Sequence, residues 1–144
     1  MTSISIAEYR SLTPPVRGHR QRKRRRRLPL EEAIQRACVE WARLQAPRYP
    51  LLAWLVHVPN GGIRPKGEAG KLKAMGVNPG LPDILIPRRS GPWAGLAVEI
   101  KSPTGKVSRS QAKWLDALAA DGWFVAVARS LDEFRETCLC FLEP

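Results

Sequence analysis

Cysteine, methionine, acidic residues and long apolar runs are all scarce in this sequence of 144 residues. The three cysteines, Cys38, Cys138 and Cys140, form an odd set, and the last two lie too close together to anchor a usual zinc site without further partners. We interpret all three as small apolar residues in a reducing compartment, which excludes a disulfide framework. No window approaches the roughly 18 apolar residues of a membrane span, and the N-terminus lacks the apolar run of a signal peptide. We therefore expect a cytoplasmic protein with no membrane partner.

The charge of the chain is strongly one-sided. Against 13 acidic residues stand 24 Lys and Arg, so the formal net charge is +11, which favours a polyanionic partner and nucleic acid first. Eight of these basic residues crowd into residues 13–27, TPPVRGHRQRKRRRR, which offer no apolar face to bury. We therefore predict a disordered basic arm at residues 1–27 and one folded domain at residues 28–144.

The spacing of apolar residues predicts an α/β fold for that domain. Apolar residues recur at helical spacing from Leu30 to Leu44, and "LLAWLVHV" followed by a Pro-Asn-Gly-Gly turn indicates a buried strand. The predicted order is α-β-β-β-α-β-α, a mixed β-sheet flanked by helices. Its elements are expected at residues 30–44, 51–58, 82–87, 95–101, 108–122, 123–128 and 131–142. A weaker basic helix at 66–76 would end at Gly76.

The two strands within "PDILIPRRSGPWAGLAVEIK" place charged side chains opposite one another. If their turn is centred on Gly91, residues whose numbers sum to 182 face each other, so Asp83 faces Glu99. Because side chains alternate along a strand, Glu99 and Lys101 share one face. Directly opposed carboxylates repel one another unless a cation or a proton lies between them.

A divalent metal ion would resolve this repulsion. Hard oxygen ligands suit Mg²⁺ or Mn²⁺, and such a site supports attack of water on a phosphodiester, with Lys101 near enough to orient the nucleophile or stabilise negative charge. The alternative from these residues alone is structural: Asp83 ends a strand, and Glu99 and Lys101 form an exposed pair on a solvated sheet face. The hairpin by itself leaves both readings open.

Neighbouring motifs favour the catalytic reading. "HVPNGG" at 57–62, "GKLKAMGVNPGLPD" at 70–83, "VEIK" at 98–101 and "SRSQAKW" at 108–114 closely resemble the VRR-NUC (virus-type replication-repair nuclease) family, part of the PD-(D/E)xK nuclease superfamily. The resemblance runs from about Glu31 to the C-terminus and excludes only the basic arm. It implies a restriction-endonuclease-like core and a metal-dependent endodeoxyribonuclease in a bacterial or phage-infected cell, associated with the nucleoid when bound to DNA.

The resemblance also implies roles for particular residues. Asp83, Glu99 and the backbone carbonyl of Ile100 would hold Mg²⁺ or Mn²⁺, and Lys101 would serve the attacking water. Glu31, four residues before Gln35, matches the helical glutamate of the family and would complete the acidic cluster, with Glu32 as its rival. A solvated glutamate in the first helical turn is the structural alternative for both. Gln111 matches the glutamine that follows the E-x-K strand, although an ordinary residue of a first helical turn remains an equal alternative.

Other residues are expected to contact nucleic acid. Asn60 lies in the turn after His57, and we interpret His57 as a strand histidine whose hydrogen bonds are satisfied. The basic candidates either follow Asn60 in the sequence or belong to the arm. A solvated basic face would explain Arg64, Lys71 and Lys73 almost as well. The predicted nucleic-acid-binding residues are Arg22, Lys23, Arg24, Arg25, Arg26, Arg27, Asn60, Arg64, Lys71 and Lys73.

Three hypotheses about function follow. The first is a metal-dependent, structure-selective DNA endonuclease, similar to Holliday junction resolvases, that acts on branched or junction DNA as a homodimer. The second is a nuclease that cuts flap, nicked or duplex DNA with a partner protein. The third is a non-catalytic nucleic-acid-binding module, against which the intact Asp83, Glu99 and Lys101 argue.

Overall fold

The most deeply buried element of the described residues is a five-residue strand, Leu96–Ile100, all of whose residues are shielded from solvent. The structure is a computed structural model that describes residues 29–59 and 66–143. In chain order its strands are β1 (Val56–His57), β2 (Ile84–Ile86), β3 (Leu96–Ile100) and β4 (Phe124–Ala128). They form one sheet in this same order, with β1, β2 and β3 antiparallel and β3 and β4 parallel. The predicted mixed sheet is confirmed.

Helices flank this sheet at nearly the predicted positions. They are α1 (Leu30–Gln45), α2 (Lys66–Ala74), α3 (Arg109–Ala120) and α4 (Leu131–Leu142). The predicted order omitted α2, although residues 66–76 were expected to be weakly helical, and Gly76 follows this helix with a φ of 86°. Among the described residues, no helix has the length and apolar character needed to cross a membrane.

Side-chain caps fix where the two C-terminal helices begin. Ser108 accepts a hydrogen bond from the Gln111 backbone N–H, and the Gln111 side chain accepts one from the Ser108 backbone N–H, which completes a capping box. Ser130 caps α4 by accepting from the backbone N–H of Glu133. These caps fix where α3 begins after β3 and where α4 begins after β4. Charged residues directly follow both strands, so the two helices begin in the segments that carry these charges.

The core lies between one face of the sheet, α1 and α4. Leu96, Val98 and Ile100 of β3 point into this layer with less than 2% of their surface exposed. Trp41 of α1 meets Phe134 of α4 edge to face, with the ring centroids 6.0 Å apart. The helical spacing of α1 accounts for this contact. Its last apolar position, Leu44, instead remains 71% exposed.

The buried cysteines belong to this same core. Burial raises the pKa of both the Cys38 and the Cys138 thiol to about 12, so each stays protonated at neutral pH. Cys140 is exposed on α4. Protonated, buried thiols are poor nucleophiles, which agrees with the interpretation of Cys38 and Cys138 as small apolar residues.

The predicted buried strand at 51–58 is wrong. Residues Pro50–Trp54 form a 3₁₀ helix, and only Val56–His57 pair with the sheet, with both residues exposed at its edge. Pro50 presets the backbone for a helical turn, and of this apolar run only Leu52 is fully buried. Trp54 stays 54% exposed beneath the Arg88 guanidinium, 4.7 Å from its ring centroid. A short apolar run does not by itself distinguish strand from helical turn.

Candidate active site

The hairpin of β2 and β3 has the predicted register. Ile84 pairs with Val98, Leu85 with Ala97 and Ile86 with Leu96, and continuing this register places Asp83 opposite Glu99. The hairpin closes where Ser90 and Trp93 exchange both backbone hydrogen bonds around Gly91, whose φ is 50°. Residues on alternate positions then share the face away from the apolar core, which brings the charged side chains together.

Asp83 is held in place on its backbone and on its side chain. Its Oδ2 accepts a hydrogen bond of 2.9 Å from the Ile100 backbone N–H, and its backbone carbonyl accepts one of 2.8 Å from Val58 N–H. Nδ1 of His57 lies 3.0 Å from the same carbonyl. The carboxylate is therefore tied to the end of β3 and the backbone to the end of β1.

Glu99 is the most buried charged side chain of the described residues, at 0% exposure. Its Oε1 accepts from Lys101 Nζ at 2.8 Å and from Gln111 Nε2 at 2.5 Å. Its Oε2 is buried and has no hydrogen-bond partner. Because an unpaired buried oxygen of a carboxylate is costly, this atom marks the place where a cation or proton would be bound.

Burial is the main reason why the pKa of Glu99 is raised to about 7. The neighbouring carboxylate of Asp83 raises it further, whereas the hydrogen bond and the charge of Lys101 oppose the shift. The protein therefore holds a carboxyl group that is only partly ionised at neutral pH without a bound cation. A divalent ion placed between the carboxylates would favour the ionised form.

The pKa of Lys101 is raised as well, but for a lysine this favours the charged form. Burial lowers the pKa of its ammonium group, but the hydrogen bond to Glu99 and the negative charges of Glu99, Glu31 and Asp83 outweigh burial and raise it. Lys101 is therefore a charged donor at neutral pH with its Nζ fixed on Glu99. The predicted shared face of Glu99 and Lys101 is present, but it is a buried face rather than the solvated one of the structural alternative.

The two glutamates at the start of α1 have different partners. Oε1 of Glu31 accepts a hydrogen bond of 3.1 Å from the backbone N–H of Ser102, the residue after Lys101. Glu32 instead forms an ion pair of 2.7 Å with Arg36, one turn along the same helix. Glu31 is therefore the glutamate that reaches the end of β3.

A cleft of about 1020 Å³ opens over these groups. Glu31, Asp83, Glu99, Lys101 and Gln111 all line it, as does Ile100, whose backbone carbonyl was predicted as a metal ligand. The structure thus gathers every predicted catalytic side chain around one opening. Their roles in catalysis stay predictions.

One wall of this cleft had not been predicted. Gln35 and Arg43 of α1 line it, and Gln35 Nε2 lies 2.6 Å from Nδ1 and 3.1 Å from Nε2 of His57. The hydrogen bonds of His57 are satisfied, as expected. Because residues three or four apart share a helical face, the stripe that starts at Glu31 could have been followed to Gln35 and on toward Arg43.

The structure describes two of the predicted nucleic-acid-binding residues, and neither lines the cleft. Lys71 and Lys73 are exposed in the last turn of α2 and do not line the cleft. Asn60, Arg64 and the six basic residues at 22–27 fall outside the described residues. Their contacts with DNA stay predictions.

The residues present fit a divalent cation at the hairpin. Two opposed carboxylates, one bearing a buried oxygen without a partner, form the oxygen-rich set that Mg²⁺ and Mn²⁺ prefer. Within residues 29–59 and 66–143, no three His, Cys, Asp or Glu side chains gather closely enough to hold one metal ion. A metal here would therefore depend on this pair together with backbone and solvent oxygens, as is usual for magnesium.

The fold is that of an α/β domain with a mixed four-stranded sheet. The VRR-NUC domain model matches residues 30–132, so the chain belongs to the VRR-NUC family. A solved structure described as a VRR_NUC domain protein superimposes with a TM-score of 0.69 at 27% sequence identity, covering 82% of this chain and 92% of that one. No curated protein matches the chain. The resemblance and the fold class inferred from the sequence are confirmed, and a restriction-endonuclease-like core is consistent with the structure.

Proposed function

We propose that this protein is a metal-dependent DNA endonuclease that hydrolyses phosphodiester bonds. The observation that carries the proposal is the buried, unpartnered Oε2 of Glu99 in register with Asp83, beside a charged lysine. Membership of a nuclease-type family supports the same reaction class. A purely structural hairpin gives no reason to bury such an oxygen without a partner.

Each residue of the site has a role in this proposal. Asp83 and Glu99 would hold Mg²⁺ or Mn²⁺, with the Ile100 carbonyl as a further ligand; when bound, the metal supplies Lewis acidity toward a phosphate oxygen or water. Lys101 donates to Glu99 and would orient the attacking water or stabilise negative charge. Gln111 of α3 donates to Oε1 of Glu99, the oxygen that also accepts from Lys101. Oε2 of Glu99 would then be free to bind the metal ion.

We infer that the preferred substrate is branched DNA, with a four-way junction as the first candidate. Symmetric cuts in two opposite strands require two active sites, so a homodimer accompanies this inference. The place of action would be the cytoplasm, at the nucleoid. The second hypothesis keeps the chemistry but assigns flap, nicked or duplex DNA and a partner protein.

The test is cleavage of a set of matched substrates. Four-way junction, flap, nicked and linear duplex DNA of the same sequence are incubated with the protein in Mg²⁺, in Mn²⁺ and in EDTA, and binding is measured separately in Ca²⁺. We expect cuts only with Mg²⁺ or Mn²⁺ and the fastest cuts in the junction. Tight binding without cleavage of any substrate would instead establish the binding-module hypothesis.

Deleting residues 1–27 should flatten the salt dependence of DNA binding. Arginine-rich segments neutralise phosphates, and each contact with duplex DNA contributes about 0.9 to the slope of log K against log salt. The eight basic residues at 13–27 thus account for a change of up to about seven units. A Lys71→Ala/Lys73→Ala variant serves as the matched control, with an expected change of no more than about two units. An unchanged slope after the deletion would assign the arm to another partner.

Sedimentation across a wide range of protein concentration should reveal a two-fold dimer, either free or on a four-way junction. The paired cuts should then be coupled, so that both strands of one junction are cut within the lifetime of a single complex. A strict monomer in both states would favour a nickase or a nuclease that depends on a partner.

A further inference from the structure

The cleft over the hairpin is longer than the group of residues proposed to carry out the reaction. It follows α1 from Glu31, at the end of β3, to Arg43 in the last turn of the helix, with Gln35 and Val39 between them. This length of helix spans about 18 Å. At about 3.4 Å per base pair, it corresponds to roughly five steps along a DNA strand. The cleft can therefore hold several nucleotides beside the one at the site.

Unbalanced positive charge is scarce in this cleft. Among the described residues that line it, Lys101 is held by Glu99 at 2.8 Å, so its charge is balanced at the site itself. Arg36 is likewise paired with Glu32 at 2.7 Å. The side chain of Arg43 is exposed and forms no ion pair or hydrogen bond with any described residue. Its charge is therefore available to a group that enters from solvent.

Arg43 also lies where the cleft continues into a second hollow. This hollow, of about 450 Å³, shares Val39, Arg43 and His57 with the cleft and is lined further by apolar side chains such as Ala42 and Leu55. A strand that reaches Arg43 from the site thus does not meet a closed end.

The wall on either side of Arg43 is not basic. Gln35 and His57, which are in contact with each other, separate Arg43 from the carboxylates of the site. Glu40 lies one turn before Arg43, lines the same cleft and is exposed, but the two form no ion pair. A phosphate that passes along this wall therefore finds one cation without a partner, and a carboxylate next to it that opposes binding.

We propose that Arg43 binds a phosphate of the DNA strand that is being cut, roughly three to six nucleotides from the reacting bond. This inference rests on the proposed nuclease function and adds to it a binding position for the substrate. An arginine suits the contact because its planar donors can pair with two oxygens of one phosphate. The contact holds the strand along α1 and reads no sequence.

A structural role is the alternative for Arg43. A cation in the last turn of a helix interacts favourably with the helix dipole, whatever the protein binds. Loss of that interaction would lower the melting temperature and leave DNA binding unchanged. Binding to DNA predicts the reverse, so the two roles differ in what they change.

Four variants test the contact in the full chain. Arg43→Gln removes the charge, Arg43→Lys keeps it without the planar donors, and Glu40→Gln removes the opposing carboxylate. Arg135→Gln is the matched control, since Arg135 is an exposed arginine of α4 that does not line the cleft. Junction binding in Ca²⁺, single-turnover cleavage in Mg²⁺ and the melting temperature are measured for each variant and for the parent.

Arg43→Gln should weaken junction binding about five- to tenfold and lower the slope of log K against log salt by about 0.9. Arg43→Lys should recover the slope and part of the affinity. Glu40→Gln should tighten binding about two- to threefold, and Arg135→Gln should stay within about twofold of the parent. At saturating protein, the cleavage rate of Arg43→Gln should remain within about threefold of the parent rate, because the contact lies away from the reacting bond.

A scan of the DNA locates the phosphate. Single phosphates are replaced by uncharged methylphosphonates at about eight successive positions on either side of the branch point, and binding is measured in Ca²⁺. The parent should lose about five- to tenfold in affinity at the position that Arg43 contacts, whereas Arg43→Gln should lose nothing further there. Mapping the cut in Mg²⁺ then gives the distance between this phosphate and the reacting bond.

Three results would overturn the proposal. The first is unchanged affinity of Arg43→Gln, and the second is an equal loss in Arg135→Gln, which would be a general effect of charge. The third is a scan in which the two losses add at every position, so that no single phosphate pairs with Arg43. Absence of cleavage by the parent would instead count against the nuclease function, and binding in Ca²⁺ would still decide whether Arg43 holds a DNA phosphate.

Discussion

Replacing Glu99 by Gln should abolish cleavage while leaving the metal-free protein more stable at alkaline pH. The change keeps the size of the side chain and removes one of the two charges proposed to hold the metal. Metal assistance is worth several kcal/mol of transition-state stabilisation, so the rate should fall by about a thousandfold. DNA affinity should change little, because we expect it to derive mainly from basic residues outside this pair.

The gain in stability follows from the raised pKa of Glu99. Its folded-state pKa of about 7 exceeds the ordinary value of 4.5, so the folded state holds the proton more tightly than the unfolded chain does. The stability that this proton contributes is complete below pH 4.5 and is lost as pH rises through 7. Glutamine mimics the protonated group at every pH and can donate to Asp83. At pH 8 the variant should therefore be more stable, by roughly 1–3 kcal/mol.

Thermal unfolding in EDTA at pH 5 and pH 8 measures this effect. The melting temperature of Glu99→Gln should exceed that of the parent by about 5 °C at pH 8, and the difference should shrink toward pH 5. Junction binding in Ca²⁺ and cleavage in Mg²⁺ are measured on the same preparation. Near-normal cleavage by the folded variant would remove Glu99 from the catalytic site, and the carboxylates that bind the metal would then have to lie elsewhere.

The hairpin could be predicted from sequence because its register depends on local chain geometry. A turn around Gly91 fixes which residues pair, and the alternation of side chains then fixes which of them share a face. This placed Asp83 opposite Glu99, and Glu99 beside Lys101, without any knowledge of the remaining fold. The start of α3 was similarly local, because Ser108 and Gln111 cap the helix within four residues.

Other features depend on contacts that the local sequence does not contain. The apolar run at 51–58 resembles a buried strand, but the sheet accepts only Val56–His57 at its edge, and Pro50 starts a helical turn. The hydrogen bond between Glu31 and Ser102 joins residues 71 positions apart. The family resemblance selected Glu31 over Glu32, but its physical partner became evident only in the folded chain.

The burial of Glu99 and Lys101 likewise depends on the whole domain. From these residues alone, a solvated ion pair on an open sheet face was the simpler interpretation. The structure shields it because α1 and α3 close over the end of β3, and Gln111 then takes part in the hydrogen bonding of Glu99. Burial converts an ordinary carboxylate into one whose pKa is raised to about 7. This change of environment is what makes the site chemically distinctive.

Replacing Lys101 by Met should also abolish cleavage, but with the opposite effect on stability. Methionine retains much of the length of the side chain and removes the ammonium group that donates to Glu99 at 2.8 Å. Without this donor, Glu99 keeps only Gln111 as a partner, and its pKa should rise above 7 because burial and Asp83 both favour the neutral acid. The folded protein should therefore lose roughly 1–3 kcal/mol at pH 8, and much less at pH 5, where Glu99 of the folded parent is itself protonated and attracts the ammonium group only weakly.

The matched control is Lys113→Met, which removes an exposed lysine from α3 and should leave stability and cleavage unchanged within about twofold. The double variant Glu99→Gln/Lys101→Met removes both charges, so it should recover most of the stability that Lys101→Met loses at pH 8, while cleavage stays absent. Melting temperatures in EDTA at pH 5 and pH 8 complete the double-mutant cycle. If Lys101→Met were as stable as the parent at pH 8, and the double variant no more stable than Lys101→Met, then Lys101 would not balance the charge of Glu99. The ion pair could then no longer explain how a buried glutamate is kept ready to bind a cation.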